Sequence, residues 1–184
     1  MSQSTSTLTA DEFLALPETL QRMELINGLI IMEAEPEMSP SPDYHHQAVA
    51  AELFALIKGL IPDGKALFAP MDVKLDANNV VQPDILWMSA AGRCHVVERH
   101  LQGPPDLIVE IFSPGTARRD KSDKFRLYEQ HGVREYWMVD PFEAYVEVWV
   151  WHEGRFGLQG VYGPADQFSS VVLMAEVVLA GVFE

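Results

Sequence analysis

Pro105-Asp106-Leu107-Ile108-Val109-Glu110-Ile111-Phe112, a break at Ser113-Pro114-Gly115, and then Gly132-Val133-Arg134-Glu135-Tyr136-Trp137-Met138-Val139-Asp140-Pro141 decide the fold. Residues 107–112 are apolar but for Glu110 and end at turn formers, which predicts a buried strand over 106–112. A helix is predicted over 116–131, with Gly132 as its C′ residue. Residues 135–139 form the next strand, ended by Asp140-Pro141. Working outward, Val80 to Met88 and Leu67 to Leu75 read as strands joined by a turn at 76–79, and residues 89–104 as a long loop. Toward the N-terminus, Asp43 caps a helix over 44–60 that carries Val49, Leu53, Leu56 and Leu60 on one stripe and stops at Pro62-Asp63-Gly64. Asn27-Gly28 between Met23–Ile26 and Leu29–Met32 marks a hairpin. A brief helix follows Thr9 and ends at Pro17. Tyr145 to Trp151 and Phe156 to Tyr162 form a last hairpin about Glu153-Gly154. Helices interleaved with strands in this order indicate an α/β or α+β domain with a mixed sheet.

The chain has 184 residues, 48% of them hydrophobic, with 13 basic and 27 acidic side chains and a formal charge of −14. This size predicts one domain over 1–184, with 1–8 a flexible tail. No uncharged apolar run is long enough for a membrane helix, and the start lacks a secretory pattern, so a soluble, cytoplasmic protein with no membrane partner is expected. The single cysteine, Cys94, has no internal disulfide partner. A surface this acidic repels polyanions at long range. Only Arg118, Arg119, Lys121, Lys124 and Arg126 form a cationic segment.

The chemistry is carried by charges inside apolar strands. An isolated buried carboxylate costs several kcal/mol, on the order of the penalty for an unpaired charge, unless it is paired, protonated or bound to metal. Glu110 and Asp84 both occupy such positions. On the helix after Glu110, Asp120, Lys124 and Tyr128 recur every four residues and share one face, which carries the Lys124 ammonium toward the Glu110 strand. Two carboxylates and a lysine suit Mg²⁺, with Mn²⁺ as substitute, and a phosphate. Metal-assisted phosphodiester hydrolysis uses all three.

Val81-Gln82-Pro83-Asp84, Pro105 to Glu110 with Ser113-Pro114, Asp120-x3-Lys124-x3-Tyr128 and Gly132 to Pro141 together closely resemble the Uma family of restriction-endonuclease-like proteins, within the PD-(D/E)XK nuclease superfamily. The resemblance runs from about Leu8 to the C-terminus and takes in Glu24 to Gly28 and His46. It implies a restriction-endonuclease-like mixed sheet flanked by helices, with an N-terminal hairpin, and a metal-dependent endonuclease acting on DNA phosphodiesters; the charge of −14 adds the expectation of a homodimer, which brings two cationic segments toward one duplex. It further implies that Asp84 and Glu110 are the metal-binding acids. The superfamily's lysine two residues after the second acid is absent, that position being Phe112; the resemblance places the lysine on the following helix, at Lys124. His46 and Glu24 match further site positions.

Plainer readings stand beside these. Glu110 with Lys124 also reads, less strongly, as a buried ion pair fastening helix to sheet. Asp84 can accept backbone hydrogen bonds at a strand end, His46 can belong to a helix start, Glu24 to a hairpin surface, and Asp120 to a first helical turn. Cys94, His95 and His100 lack the spacing and fourth ligand of a zinc site. Tyr136, Trp137, Trp149 and Trp151 could stack on bases, but their alternation favours core or a subunit contact, with Tyr145 to Trp151 the candidate strand. Two other functions remain open: a non-catalytic module of the same fold that binds nucleic acid or protein, and a two-carboxylate glycoside hydrolase, whose chemistry has no use for the lysine.

Overall fold

A computed structural model describes residues 7–17, 19, 21–32, 44–60, 63–112 and 120–184. In chain order these contain α1 (Ala10–Leu14), β1 (Met23–Ile26), β2 (Leu29–Met32), α2 (Tyr44–Leu60), β3 (Lys65–Phe68), β4 (Val73–Lys74), β5 (Val80–Val81), β6 (Ile85–Met88), β7 (His95–Val97), β8 (His100–Gln102) and β9 (Leu107–Ile111). A π-helical turn (Asp120–Lys124) then leads into α3 (Phe125–His131), followed by β10 (Glu135–Asp140), β11 (Tyr145–His152), β12 (Arg155–Tyr162), β13 (Gln167–Ser170) and β14 (Ala175–Val178). One sheet has the order β2-β1-β5-β4-β8-β7, a second β12-β11-β10-β9-β6-β3, and β13 pairs with β14. The fold is α+β, with mixed sheets flanked by few helices.

The second sheet is the frame of the site. β9 and β10 run parallel, so a crossover must join them, and the π-helical turn with α3 lies on that connection. Period-two alternation divides their side chains between two cores. Leu107, Val109 and Ile111 pack with Val49, Leu53 and Ile57 of α2 on one face. Ile108 and Phe112 pack with Leu127 and Tyr128 of α3 on the other. Glu110 is thus the one charged residue of β9 aimed at the α3 layer.

Several expectations need correction. The strand expected over 67–75 is two strands, β3 and β4, in different sheets, and the one over 80–88 is β5 and β6, again in different sheets. The chain crosses between sheets at Gln82-Pro83-Asp84, where proline has no N–H to give a ladder. The loop expected over 89–104 holds the hairpin of β7 and β8, whose three-residue strands are too short to display a period. The β13–β14 hairpin, with Phe168 and Val177 buried against β10 and α2, was not expected at all. The α2 stripe is Val49, Leu53 and Ile57, while Leu56 and Leu60 are only partly buried. β11 lies between β10 and β12, with Val146 and Val148 fully buried and Trp151 exposed. The expected cap Asp43, the connector 39–42, the stop at Pro62 and the residues 116–119 lie outside the described residues. No described helix is long and apolar enough to cross a membrane.

Glu135 clamps the C-terminal segment to β10. It is fully buried, accepts from Trp137 Nε1 at 2.6 Å, and accepts from the N–H groups of Val171 at 2.8 Å and Val172 at 3.1 Å. Burial is the strongest influence on its carboxyl and lifts it above the ordinary 4.5, against those hydrogen bonds and one from Ser170. A proton held more firmly in the folded chain contributes stability that is complete below pH 4.5 and is lost as pH rises through the raised value. Urea unfolding midpoints measured from about pH 4 to 7 should therefore fall more steeply for the wild type than for Glu135→Gln, which does not titrate.

Candidate functional site

The site lies where the two sheets meet. Ile85 of β6 pairs with Val109 of β9, and carrying that antiparallel register one step further sets Asp84 opposite Glu110, on the same face. Both carboxylates are buried. Asp84 Oδ2 accepts the Ile111 N–H at 2.8 Å, which ties it to the strand that bears Glu110.

Each surrounding layer contributes a partner. From α3's side, the buried Lys124 places Nζ 3.1 Å from Glu110 Oε1 and 3.0 Å from Glu24 Oε1. Lys124 is the last residue of the π-helical turn, a distortion that recurs at functional sites. Tyr128, one turn on, donates its hydroxyl to Glu110 Oε1 at 2.6 Å. Burial, reinforced by Glu110 and Glu24, raises the Tyr128 hydroxyl well above 10, so it stays a donor. From the first sheet, Glu24 of β1 faces the site while its neighbour Leu25 packs with Ala10 and Phe13 of α1. Glu24 Oε1 also accepts the Gln82 N–H at 2.8 Å. From the opposite layer, His46 extends the buried stripe Val49, Leu53, Ile57 toward the helix start, and its Nε2 stands 3.4 Å from Asp84 Oδ2. Arg22 donates from Nη1 to Asp84 Oδ1 at 3.0 Å and from Nη2 to the Gln82 carbonyl.

Asp84 is an ionised acid. Burial pushes its carboxyl up, but the His46 hydrogen bond, the charges of Arg22 and His46, and the Ile111 N–H prevail and hold it at about 2.

All five sequence-predicted residues, Asp84, Glu110, Lys124, His46 and Glu24, therefore converge. Arg22 and Tyr128 join them, although sequence reasoning does not single them out as site residues. Arg22 carries a signal, since it precedes Glu24 by two and an extended strand puts both on one face. Tyr128 shares the four-residue stripe with Lys124. Phe112 packs in the core with Tyr128 and Ile108, so it offers the site volume but no charge. The second Pro-Asp pair is structural, because Asp106 Oδ2 accepts from Ser89 N and Oγ at 2.8 and 3.0 Å, and Oδ1 from Arg134 at 3.3 Å, at the start of β9. Cys94 is buried, and its thiol is pushed up to about 12, first by burial and then by Asp106, which makes it a poor metal ligand.

Glu24, Asp84 and Glu110 face Lys124 and Arg22, so one negative charge is left over when His46 is neutral. The donors are hard carboxylate oxygens. Among the described residues, no three His, Cys, Asp or Glu side chains gather closely enough to enclose an ion. The two carboxylates Asp84 and Glu110 match the one or two that Mg²⁺ commonly takes from a protein, its shell being completed by water and substrate oxygens.

Residues 10–180 match the family model Uma2, described as "Putative restriction endonuclease". The chain belongs to this family. A solved structure similar to this Uma2-family chain is that of a "putative nuclease belonging to DUF820" from Anabaena variabilis ATCC 29413, at 23% identity and a TM-score of 0.75, covering 96% of this chain and 97% of that one. That likeness shows a shared fold. No curated protein matches the chain.

Proposed function

We propose that this Uma2-family protein is a Mg²⁺-dependent endonuclease that hydrolyses DNA phosphodiester bonds. The observation that carries the proposal is the reach of Lys124, from the turn after β9, to the Glu110 carboxylate on the face that Asp84 shares.

Asp84 and Glu110 would hold the metal ion. When bound, Mg²⁺ would polarise the phosphate and lower the pKa of an attacking water. Hydrolysis forms one P–O bond to the water oxygen and breaks another to the leaving sugar oxygen, while the water's proton is released and the leaving oxygen gains one. Lys124 donates to the charge that grows on the phosphate oxygens, taking the part of the lysine that Phe112 cannot supply. Glu24 holds the Lys124 ammonium from the other side, and Tyr128 fixes the Glu110 carboxylate by its hydroxyl. His46 and Arg22 keep Asp84 ionised and oriented. The same charges could serve only to fasten α3 to the sheet, in a non-catalytic module; metal binding and turnover separate the two.

Saturating Mn²⁺ should raise the melting temperature of the wild type by several degrees, since an ion that prefers the folded chain stabilises it. Asp84→Ala should lose that rise. An equal rise in both proteins would place the ion elsewhere.

The proposal includes a homodimer, because two copies would bring two cationic segments to one DNA substrate and offset the repulsion of a chain at −14. β12 suits the contact better than β11: it is the sheet edge, and Leu158 and Val161 on it are about half exposed. Light scattering at micromolar concentration should give twice the chain mass of 20.6 kDa, and Val161→Lys should give the monomer mass.

A further inference from the structure

Three aromatic rings, grouped about the chain neighbour of His46, take no part in the hydrolysis described above. Tyr44 and His45 open α2, and His45 is the chain neighbour of His46, whose ring reaches Asp84. The His45 ring centroid is 5.8 Å from that of Tyr44, at 74°, and 5.8 Å from that of Phe142, at 57°. Phe142 follows the C-terminal end of β10, which runs parallel to β9 with Met138 level with Glu110. Its position is set by Asp140, whose Oδ1 accepts the N–H groups of Phe142 and Glu143 at 3.0 Å each. Tyr44 is 75% exposed and Phe142 49%.

A single exposed phenylalanine is ordinary on a protein surface. A contiguous aromatic group, held by a helix start and an Asp-capped turn and joined through His45 to the His46 that reaches Asp84, is not. We propose that Tyr44, His45 and Phe142 form a stacking platform for an unpaired base of the strand being cut, so that the substrate class is single-stranded or locally unpaired DNA. This rests on the nuclease reading above and deepens it.

Charge favours the same occupant. A chain at −14 gains little from phosphate neutralisation, and Glu143 beside Phe142 repels phosphate further. Base faces carry no such penalty, and stacking on aromatic rings is strong and indifferent to sequence. Bases in an intact duplex already stack on one another and hide their faces. Affinity carried by stacking also falls less steeply with salt than affinity carried by ion pairs.

The test compares three fluorescent ligands of equal phosphate number: a thymidine single strand, the same strand with abasic positions, and a blunt duplex. Anisotropy is read with the wild-type chain in Ca²⁺, an oxygen-binding cation, and cleavage of each strand is followed separately in Mg²⁺. The base-bearing strand should bind at least about fivefold tighter than the abasic strand and the duplex. Tyr44→Ala with Phe142→Ala should erase the preference without shifting the melting temperature, since both rings are exposed. Phe142→Leu, which keeps apolar bulk but no π face, should weaken it in a chain whose fold is undisturbed. Equal binding of base-bearing and abasic strands by the wild type, or an undiminished preference in these variants, overturns the platform even where Mg²⁺-dependent cleavage is seen. If no strand is bound or cut, the nuclease reading itself falls.

Discussion

Lys124→Met is expected to lower Mg²⁺-dependent DNA cleavage by about a hundredfold or more, the scale of losing one donor to transition-state charge. Methionine keeps most of the stem and removes only the ammonium. The substitution also strips Glu24 and Glu110 of their shared cation inside the protein, a loss of about 3–5 kcal/mol in stability for a broken buried pair. Low activity in that variant alone could therefore reflect a damaged fold. Glu24→Gln combined with Lys124→Met removes one charge of each sign, so the balance at Glu110 and Asp84 is restored. The double variant should recover most of the lost stability in urea unfolding and still fail to cleave. If cleavage returns together with stability, Lys124 is a fastener of α3 to the sheet, and the displaced-lysine mechanism is wrong.

Glu135→Ala should destabilise the protein by about 3–5 kcal/mol. Alanine leaves the buried Trp137 Nε1 and Val172 N–H, the part-buried Val171 N–H and the Ser170 hydroxyl without this acceptor, and loosens the C-terminal segment from β10. Glu135→Gln keeps one oxygen and should lose less. Denaturant titration of the three proteins at one pH checks the order. Glu135→Ala within about 1 kcal/mol of the wild type, the order of a single net hydrogen bond, would contradict the clamp.

The strand carrying Glu110 and the helix carrying Lys124 are legible in the sequence because burial on both faces leaves a continuous apolar run, against which one charge stands out. The approach of Lys124 to Glu110 follows from a four-residue spacing. His46 and Glu24 are marked by resemblance, while their contacts are not readable: each comes from a different layer, and nothing local in a sequence states which layers meet. The crossing at Gln82-Pro83-Asp84 shows the same limit. Val80 to Met88 reads as one strand because both halves are apolar, yet they pair with different partners, β1 and β4 on one side of the proline and β3 and β9 on the other. Arg22 escapes notice because a charged residue before a hairpin reads as surface, and its role depends on Asp84, 62 positions away. β13 and β14 escape because four-residue strands give too few alternations to register. Among the aromatics, composition draws the eye to the tryptophans rather than to Tyr44 and Phe142; Trp137 is fully buried, and Trp149 packs edge-on against Phe125.

The most direct measurement is Mg²⁺-dependent cleavage of plasmid and single-stranded DNA by purified wild type, with Glu24→Gln/Lys124→Met beside it at matched stability. Cleavage by the wild type that stops on chelation and is absent in the double variant is the expected result. No cleavage by the wild type of either DNA, or equal rates in the two proteins, would contradict a nuclease built on Asp84, Glu110 and Lys124.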